Sequence, residues 1–412
     1  MTTMDVANSD RESAAALDRA DGLRRFRDRF VFADDGVVYL DGNSLGRAPR
    51  DTVVQLVDVV ESVWGSRLIR AWSEGWMDLP LRIGDRLGTS LLGAAPGQVA
   101  VADSTTVCLY KLASAALAAR PGRTEIVTDR DNFPTDRYVL ESLAGDRGLT
   151  IRWIESDPAR GPEPDEVAAV TGSRTALVSF SHVAYRSAFV LDMQAITRLA
   201  HDAGALTLWD LCHSAGAMPV ELDANEVDLA VGCTYKYLNG GPGAPAFLYV
   251  RAEHQRELRQ PIWGWLGRRE AFEMGDGYER AEGITAMLSG TPPILGLTAA
   301  GVGIELVIEA GIAAIREKGI ALTEFAIALA DGCLAPLGVS VASPRDSSRR
   351  GAHVALAHPA ARTLCARLIR DGVVVDFRAP DVIRIGLSPL STSFTDVWDG
   401  LDRLRGLLEE EA

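Results

Sequence analysis

Lys236 sits between apolar and aromatic neighbours and just ahead of a glycine-rich loop, in Cys233-Thr234-Tyr235-Lys236-Tyr237-Leu238-Asn239-Gly240-Gly241-Pro242-Gly243. A solvated lysine stays charged and inert, whereas one whose pKa falls on burial becomes a Schiff-base nucleophile. The competing reading is a lysine that snorkels to water from a strand end. Upstream, the apolar run Ala205-Trp209 ends in Asp210, with Leu211, Cys212 and His213 next, which offers a carboxylate and an imidazole together. An N-cap aspartate and a hydrogen-bonded loop histidine account for that pair equally well. A third cluster, Asp103-Ser104-Thr105-Thr106, opens a helical pattern and presents hydroxyls and free backbone N–H groups to an anion. A plain helix cap has the same composition.

The elements that carry these residues follow a regular plan. From about residue 98 to 250, short apolar runs alternate with amphipathic helical patterns: Gln98-Ala102, Thr124-Thr128, Leu149-Ile154, Thr175-Phe180, Ala205-Trp209, Val227-Gly232 and Phe247-Val250. Alternation of this kind implies an α/β lobe, and runs without polar interruption imply strands buried on both faces. A mostly parallel seven-stranded sheet covered by helices is therefore expected. Ligands on such sheets collect at the C-terminal strand ends. No strand runs into Gly-x-Gly-x-x-Gly and no Gly-Lys-Ser/Thr occurs, so the dinucleotide and P-loop readings fail. After a helical stretch from about Pro293 to Glu309, the last third reads helix, helix, strand, helix, strand, strand, helix, a smaller α+β lobe joined by the segment before Tyr39. The expected division is 1–48 as an N-terminal segment contributing to the small domain, 49–298 as the large ligand-binding domain, and 299–412 as the C-terminal small domain.

Composition sets the outer limits. A chain of 412 residues has room for two or three lobes. Its formal net charge of -14 repels polyanions, so nucleic acid is not an expected partner. Five cysteines without a CxxC pair argue against a disulfide framework or zinc ribbon, and no metal is expected. Met1 to Glu12 is polar, and no stretch approaches the roughly 18 apolar residues of a membrane span, so a cytoplasmic protein without membrane contact is the expectation.

Together, Lys236 and Asp210 supply what pyridoxal 5'-phosphate chemistry needs: a lysine for the Schiff base, and a carboxylate that keeps the pyridine nitrogen protonated. At this point the sequence resembles kynureninases. The resemblance rests on Asp41-Gly42-Asn43-Ser44-Leu45-Gly46, Trp209-Asp210-Leu211-Cys212-His213-Ser214-Ala215-Gly216 and Tyr235-Lys236-Tyr237-Leu238-Asn239-Gly240-Gly241-Pro242-Gly243-Ala244-Pro245. It continues through Asn132-Phe133-Pro134-Thr135-Asp136, Gly264-Trp265, Ser289-Gly290-Thr291-Pro292-Pro293-Ile294 and Phe377-Arg378-Ala379-Pro380.

The resemblance implies a fold-type-I pyridoxal phosphate enzyme, with the aspartate aminotransferase fold, working as a homodimer whose active site is shared between subunits. It implies a hydrolase acting on carbon–carbon bonds in ketonic substances, cleaving kynurenine to anthranilate and L-alanine in the kynurenine pathway of tryptophan catabolism. Carried over residue by residue, Lys236 holds the cofactor, Asp210 faces the pyridine nitrogen, and His213 sits beside Asp210. Phe133 resembles the residue that stacks on the ring, and Thr105, Thr106, Asp136 and Tyr235 resemble further cofactor contacts, Tyr235 doubling as a proton donor. Trp265 and Thr291 resemble phosphate contacts from the partner subunit. Arg384, in Val382-Ile383-Arg384-Ile385-Gly386, resembles the clamp on the substrate α-carboxylate. Its apolar neighbours make an unpaired charge costly, so an intramolecular ion pair is the competing reading. Asn43 and Ser44 join it in the expected substrate site.

Trp72 and Gly290 are expected at the substrate's aryl ring, forming a slot for an unsubstituted aminophenyl group, although Trp72 and Trp76 could equally pack the helix that follows them. Departures from the family pattern fall at Leu266 and Arg268, at Ser391, and along Arg186-Ser187-Ala188, which bears on substrate identity more than on reaction type. An aminotransferase or β-lyase would use the same Lys236 and Asp210. A cysteine desulfurase would also need a nucleophilic thiol on a mobile loop, and none of Cys108, Cys212, Cys233, Cys333 and Cys365 stands out as one. Intact Lys236, Asp210 and Arg384 argue against a catalytically silent binding protein.

Overall fold

The computed structural model describes residues 10–32 and 36–411. The first nine residues of the polar Met1 to Glu12 stretch therefore lie outside the described residues. The chain enters sheet structure at the two-residue strand β1 (Val38–Tyr39). The seven apolar runs then become β2 (Val99–Val101), β3 (Glu125–Asp129), β4 (Thr150–Ile154), β5 (Thr175–Ser181), β6 (Leu206–Asp210), β7 (Leu229–Gly232) and β8 (Phe247–Val250). They pair in the order β2-β8-β7-β6-β5-β3-β4. Every pairing is parallel except the two made by β8.

Strands β5 to β8 are buried along their whole length, because helices cover both faces, whereas the edge strand β4 alternates with water. One apolar cluster, including Val101, Phe180, Trp209, Phe247 and Leu297, fills one face of the sheet. A second, including Leu112, Ile126, Leu177, Leu208 and Leu248, fills the other. The helix Thr105–Ala118 is buried along most of its length and delivers its N-terminus to the end of β2.

The C-terminal third adds β9 (Ser340–Val341), β10 (His353–Ala357), β11 (Val373–Val374), β12 (Asp376–Arg378) and β13 (Val382–Gly386). Here the structure departs from expectation. Two strands rather than one precede the helix Ala361–Arg370, and three rather than two follow it, because β9 and β11 are too short to leave a periodic signal. The antiparallel order is β12-β13-β10-β9, and β11 pairs in parallel with β1. Ala14 and Leu40 pack in this same core with Leu322, Phe325 and Ile385.

The helix Ile312–Leu329 takes part in both cores, since Ile315 packs with the large-lobe cluster and Leu322 with the small-lobe cluster. The continuous helical run Ile312–Leu337 is long and apolar enough to span a membrane by length and composition, an 18-residue window in it having mean hydropathy 1.6. Its Leu322, Phe325, Ala326 and Leu329 are nevertheless packed inside the protein.

Candidate active site

Lys236 follows β7 by four residues and is buried to 7% exposure. Its Nζ lies 3.3 Å from His213 Nε2 and 5.7 Å from the centre of the Phe133 ring. The turn that holds it is pinned from the other end of the sequence: Gly46 N–H donates to Tyr235 O at 2.8 Å. A Cβ on Gly46 would lie 2.3 Å from Lys236 O and 2.4 Å from Asn239 Oδ1, so only glycine allows this approach. Tyr237 Oη donates to Ala352 O at 3.2 Å and ties the same turn to the small lobe.

Asp210 closes β6, with Oδ1 accepting from Cys212 N–H at 2.7 Å. The fully buried Asp136, in the first turn of the helix Pro134–Arg147, is its neighbour. Burial and the adjacent Asp210 charge push Asp136 well above the usual carboxylate range, and its Oδ2 is buried without a partner. His213 is driven the other way, well below the ordinary histidine value, by burial and by the charges of Lys236 and Arg384. A neutral His213 can accept from Lys236 through Nε2.

These groups line one cavity of about 360 Å³ with Asp103, Thr105, Thr106, Phe133, Tyr235 and Gly243. At one end of the cavity, Ser104 caps the helix Thr105–Ala118 and Asp103 takes φ +53°. Asp103 is anchored by the fully buried Lys111, whose Nζ also reaches Met287 O at 3.0 Å. Phe133 is held by Asn132, whose Oδ1 accepts from Phe133 N–H at 2.8 Å and Ser181 Oγ at 2.7 Å, and by edge-on contact with Tyr185 at 5.4 Å. Burial raises the Tyr235 hydroxyl far above its ordinary value, so it keeps its proton. The cavity thus offers an aromatic wall, an orphaned buried carboxyl oxygen, a helix N-terminus and a secluded amine, the donor set that a flat, anionic aldehyde cofactor requires.

Arg384 on β13 is 2% exposed. Its Nε donates to Asp376 Oδ1 at 3.1 Å, its Nη2 to Asp376 and to Ser44 Oγ at 2.9 Å, and its Nη1 to Tyr185 O at 2.6 Å. With its amide oxygen turned inward, Asn43 accepts from Arg384 Nε at 2.6 Å. The intramolecular ion pair weighed from sequence therefore exists, and Asp376 was not singled out there as its partner. No local pattern marks Asp376, since β12 and β13 must pair before the two residues meet.

The remaining expected residues stand apart from the cavity in the single chain. Trp72 packs edge-on against Trp76 at 5.2 Å and Trp265 at 6.4 Å, while Gly290 and Thr291 are exposed. Arg268 folds back on its own loop, with Nη1 on Glu270 O at 2.7 Å, and Arg186 pairs with Asp131 at 3.0 Å. Four cysteines are buried, and the exposed Cys333 lies in the small lobe, just beyond the helix Ile312–Leu329.

The chain is similar to known proteins over nearly its whole length. The family model described as the kynureninase C-terminal domain matches residues 315–404. A kynureninase of Burkholderia pseudomallei is 42% identical over 409 residues, covering 98% of this chain and 96% of the relative. A kynureninase of Pseudomonas fluorescens is 41% identical over 408 residues, with 97% and 96% covered. Among solved structures, an apo cysteine desulfurase from Thermococcus onnurineus superposes with TM-score 0.78 at 20% identity, covering 91% of this chain and 95% of that one. A cystine C-S lyase bound to its cysteine persulfide product gives 0.79 at 19% identity, with 90% and 98% covered. At these identities the solved structures establish a shared fold.

Proposed function

Because the chain belongs to the kynureninase family, we propose that it binds pyridoxal 5'-phosphate at Lys236 and hydrolyses the Cβ–Cγ bond of L-kynurenine, or of a ring-substituted kynurenine, to the corresponding anthranilate and L-alanine. The observation that carries this reading is the single cavity in which Lys236 touches a neutral His213 beside the Asp136 and Asp210 carboxyl groups. When bound, the cofactor supplies an electron sink conjugated to the substrate's Cα.

The chain's own residues do the rest. Thr105 and Thr106 offer hydroxyls and helix N-terminal N–H groups to the phosphate. Asp210 provides the negative charge for the ring nitrogen, and Asp136 stays neutral beside it. Phe133 walls the ring, and His213 accepts from Lys236 and orients its amine. Lys236 Nζ takes the proton from substrate Cα. Arg384, with Asn43 and Ser44, holds the α-carboxylate. Water adds to the substrate's γ-carbonyl, so that Cγ leaves as the aryl carboxylic acid when the Cβ–Cγ bond breaks, and Tyr235, which keeps its proton through burial, donates it to Cβ.

The same reading makes the protein a cytoplasmic homodimer in which Trp265 and Thr291 serve the partner's phosphate, and Trp72 and Gly290 face the aryl ring. An exposed apolar band on residues 53–69, with Val53, Val54, Val57, Val60, Trp64, Leu68 and Ile69, supports it, since monomers rarely leave so much bare. Val54→Asp should yield monomers that retain cofactor poorly, and dimers with full cofactor from this variant would count against a shared site. For the reaction, purified protein is incubated with kynurenine and with 3-hydroxykynurenine. Equal amounts of alanine and fluorescent aryl acid are expected, whereas a keto acid product would indicate transamination or elimination.

A further inference from the structure

Strands β10 and β13 are antiparallel neighbours, with Ala355 opposite Arg384 and His353 opposite Gly386. His353 and Arg384 therefore project from one face of the small-lobe sheet, a diagonal step apart. His353 is fully buried, and neither ring nitrogen has a hydrogen-bond partner. An imidazole carries at least one N–H, and burying it unpaired is costly, so such a group calls for a physical reason. Its ring centre lies 5.5 Å from that of His213, the residue in contact with Lys236. The unpaired ring thus lies between His213, which contacts the Lys236 amine, and the charged Arg384 on the neighbouring strand.

Arg384 alone is poorly equipped for the substrate's α-carboxylate. A guanidinium has five N–H donors. Nε is shared between Asp376 and Asn43, one Nη2 hydrogen serves Asp376, the other serves Ser44, and Nη1 serves Tyr185 O. One N–H on Nη1 is left, while a carboxylate has two oxygens to satisfy. Tyr185 O also faces the His353 ring and pulls its pKa upward, but it accepts from Arg384 and falls outside hydrogen-bond geometry for either imidazole nitrogen.

We propose that His353 donates a hydrogen bond to the substrate's α-carboxylate beside Arg384 and so determines specificity for α-amino acids over analogues lacking the acid. This rests on the functional reading above, in which Arg384 receives that carboxylate. Burial and the charges of Arg384 and Lys236 keep His353 neutral, so it adds a donor without adding a second cation to a site already served by Arg384.

The test is equilibrium binding of L-alanine and of L-alaninamide, which lacks the carboxylate, to the holoenzyme by calorimetry. The wild-type protein should prefer alanine. His353→Phe should lose about tenfold of that preference, the loss expected for one hydrogen bond to a charged group, with alaninamide affinity unchanged. His353→Gln, which keeps an N–H donor, should restore most of it, a rescue that a purely structural role would not produce. If His353→Phe does not fold, the smaller His353→Leu gives the same comparison. A preference unchanged in the donor-free variant overturns the proposal alone. A wild-type protein without any preference overturns the carboxylate role of Arg384 together with it.

Discussion

Replacing Arg384 by lysine keeps the charge and removes the fork. In the native chain the guanidinium holds Asp376 Oδ1 at 3.1 Å, Ser44 Oγ at 2.9 Å and Tyr185 O at 2.6 Å. A single ammonium nitrogen cannot span these directions and still meet a ligand. Asp376 keeps Arg378 at 2.7 Å and Ser44 at 3.1 Å, so no buried carboxylate is stranded. The fold should lose only about 1–3 kcal/mol, visible as a lowered but cooperative melt. Substrate loses one charge-assisted hydrogen bond of about 1.5–3 kcal/mol, which corresponds to roughly a 10- to 150-fold rise in KM. Because the contact is made in ground and transition states alike, kcat should stay nearly constant, and cofactor binding, which depends on the other lobe, should be intact. Steady-state kinetics on kynurenine, with a cofactor titration and a melt on the same preparation, measure all three. A folded Arg384→Lys protein with wild-type KM would assign Arg384 to holding Asp376 and nothing more.

Lys236→Ala should abolish the visible absorption of the covalently held cofactor, and persistence of that band would show attachment through a different lysine. With Gly290 offering no side-chain donor, kynurenine should be preferred over 3-hydroxykynurenine by about tenfold in kcat/KM; the opposite order would refute the slot and direct attention to Arg268. At the far end of the sheet, Asp228 receives His201 at 2.9 Å, His254 at 2.7 Å and Thr207 N–H at 2.7 Å. Burial opposes ionisation of Asp228, but hydrogen bonds from His201 and His254 outweigh it and hold the carboxyl below its usual range. Its contribution is thus present above the unfolded value of about 3.9 and lost as pH falls through the lower folded value. The hydrogen bond to Asp228 raises His201, so that contribution is full below about 6.5 and fades as pH rises through the folded value. The melting gap between wild type and His201→Gln should therefore shrink from pH 6 towards pH 9, and a constant gap would dissociate His201 from Asp228.

The parts of this architecture legible in the sequence are those written locally. Most large-lobe strands are continuous apolar runs and the edge strand β4 alternates, so all seven are legible with ends displaced by at most two residues, whereas β9 and β11 are too short to show a period. Lys236 and His213 are legible because each follows a strand end, Asp210 because it closes a strand, and Thr105 and Thr106 because they open a helix. What the sequence hides is pairing at long range. Asp376 meets Arg384, Lys111 anchors Asp103 and His353 approaches His213 only after strand register brings them together. Trp72, Trp265, Gly290 and Thr291 are assigned by resemblance alone, and in the single chain they stand apart from the cavity.

The helix Ile312–Leu329 acts as a ruler between the two cores. Ile315 is seated in one core and Leu322 in the other, seven residues and about two turns apart on one rigid rod. Relative movement of the two lobes must therefore tilt this rod or repack one of its seats. The rod also fixes rotation as well as distance. One residue inserted between Ile315 and Leu322 would turn everything beyond it by about 100° around the helix axis. Lys236 and Arg384 would each remain in an intact lobe, aimed past one another.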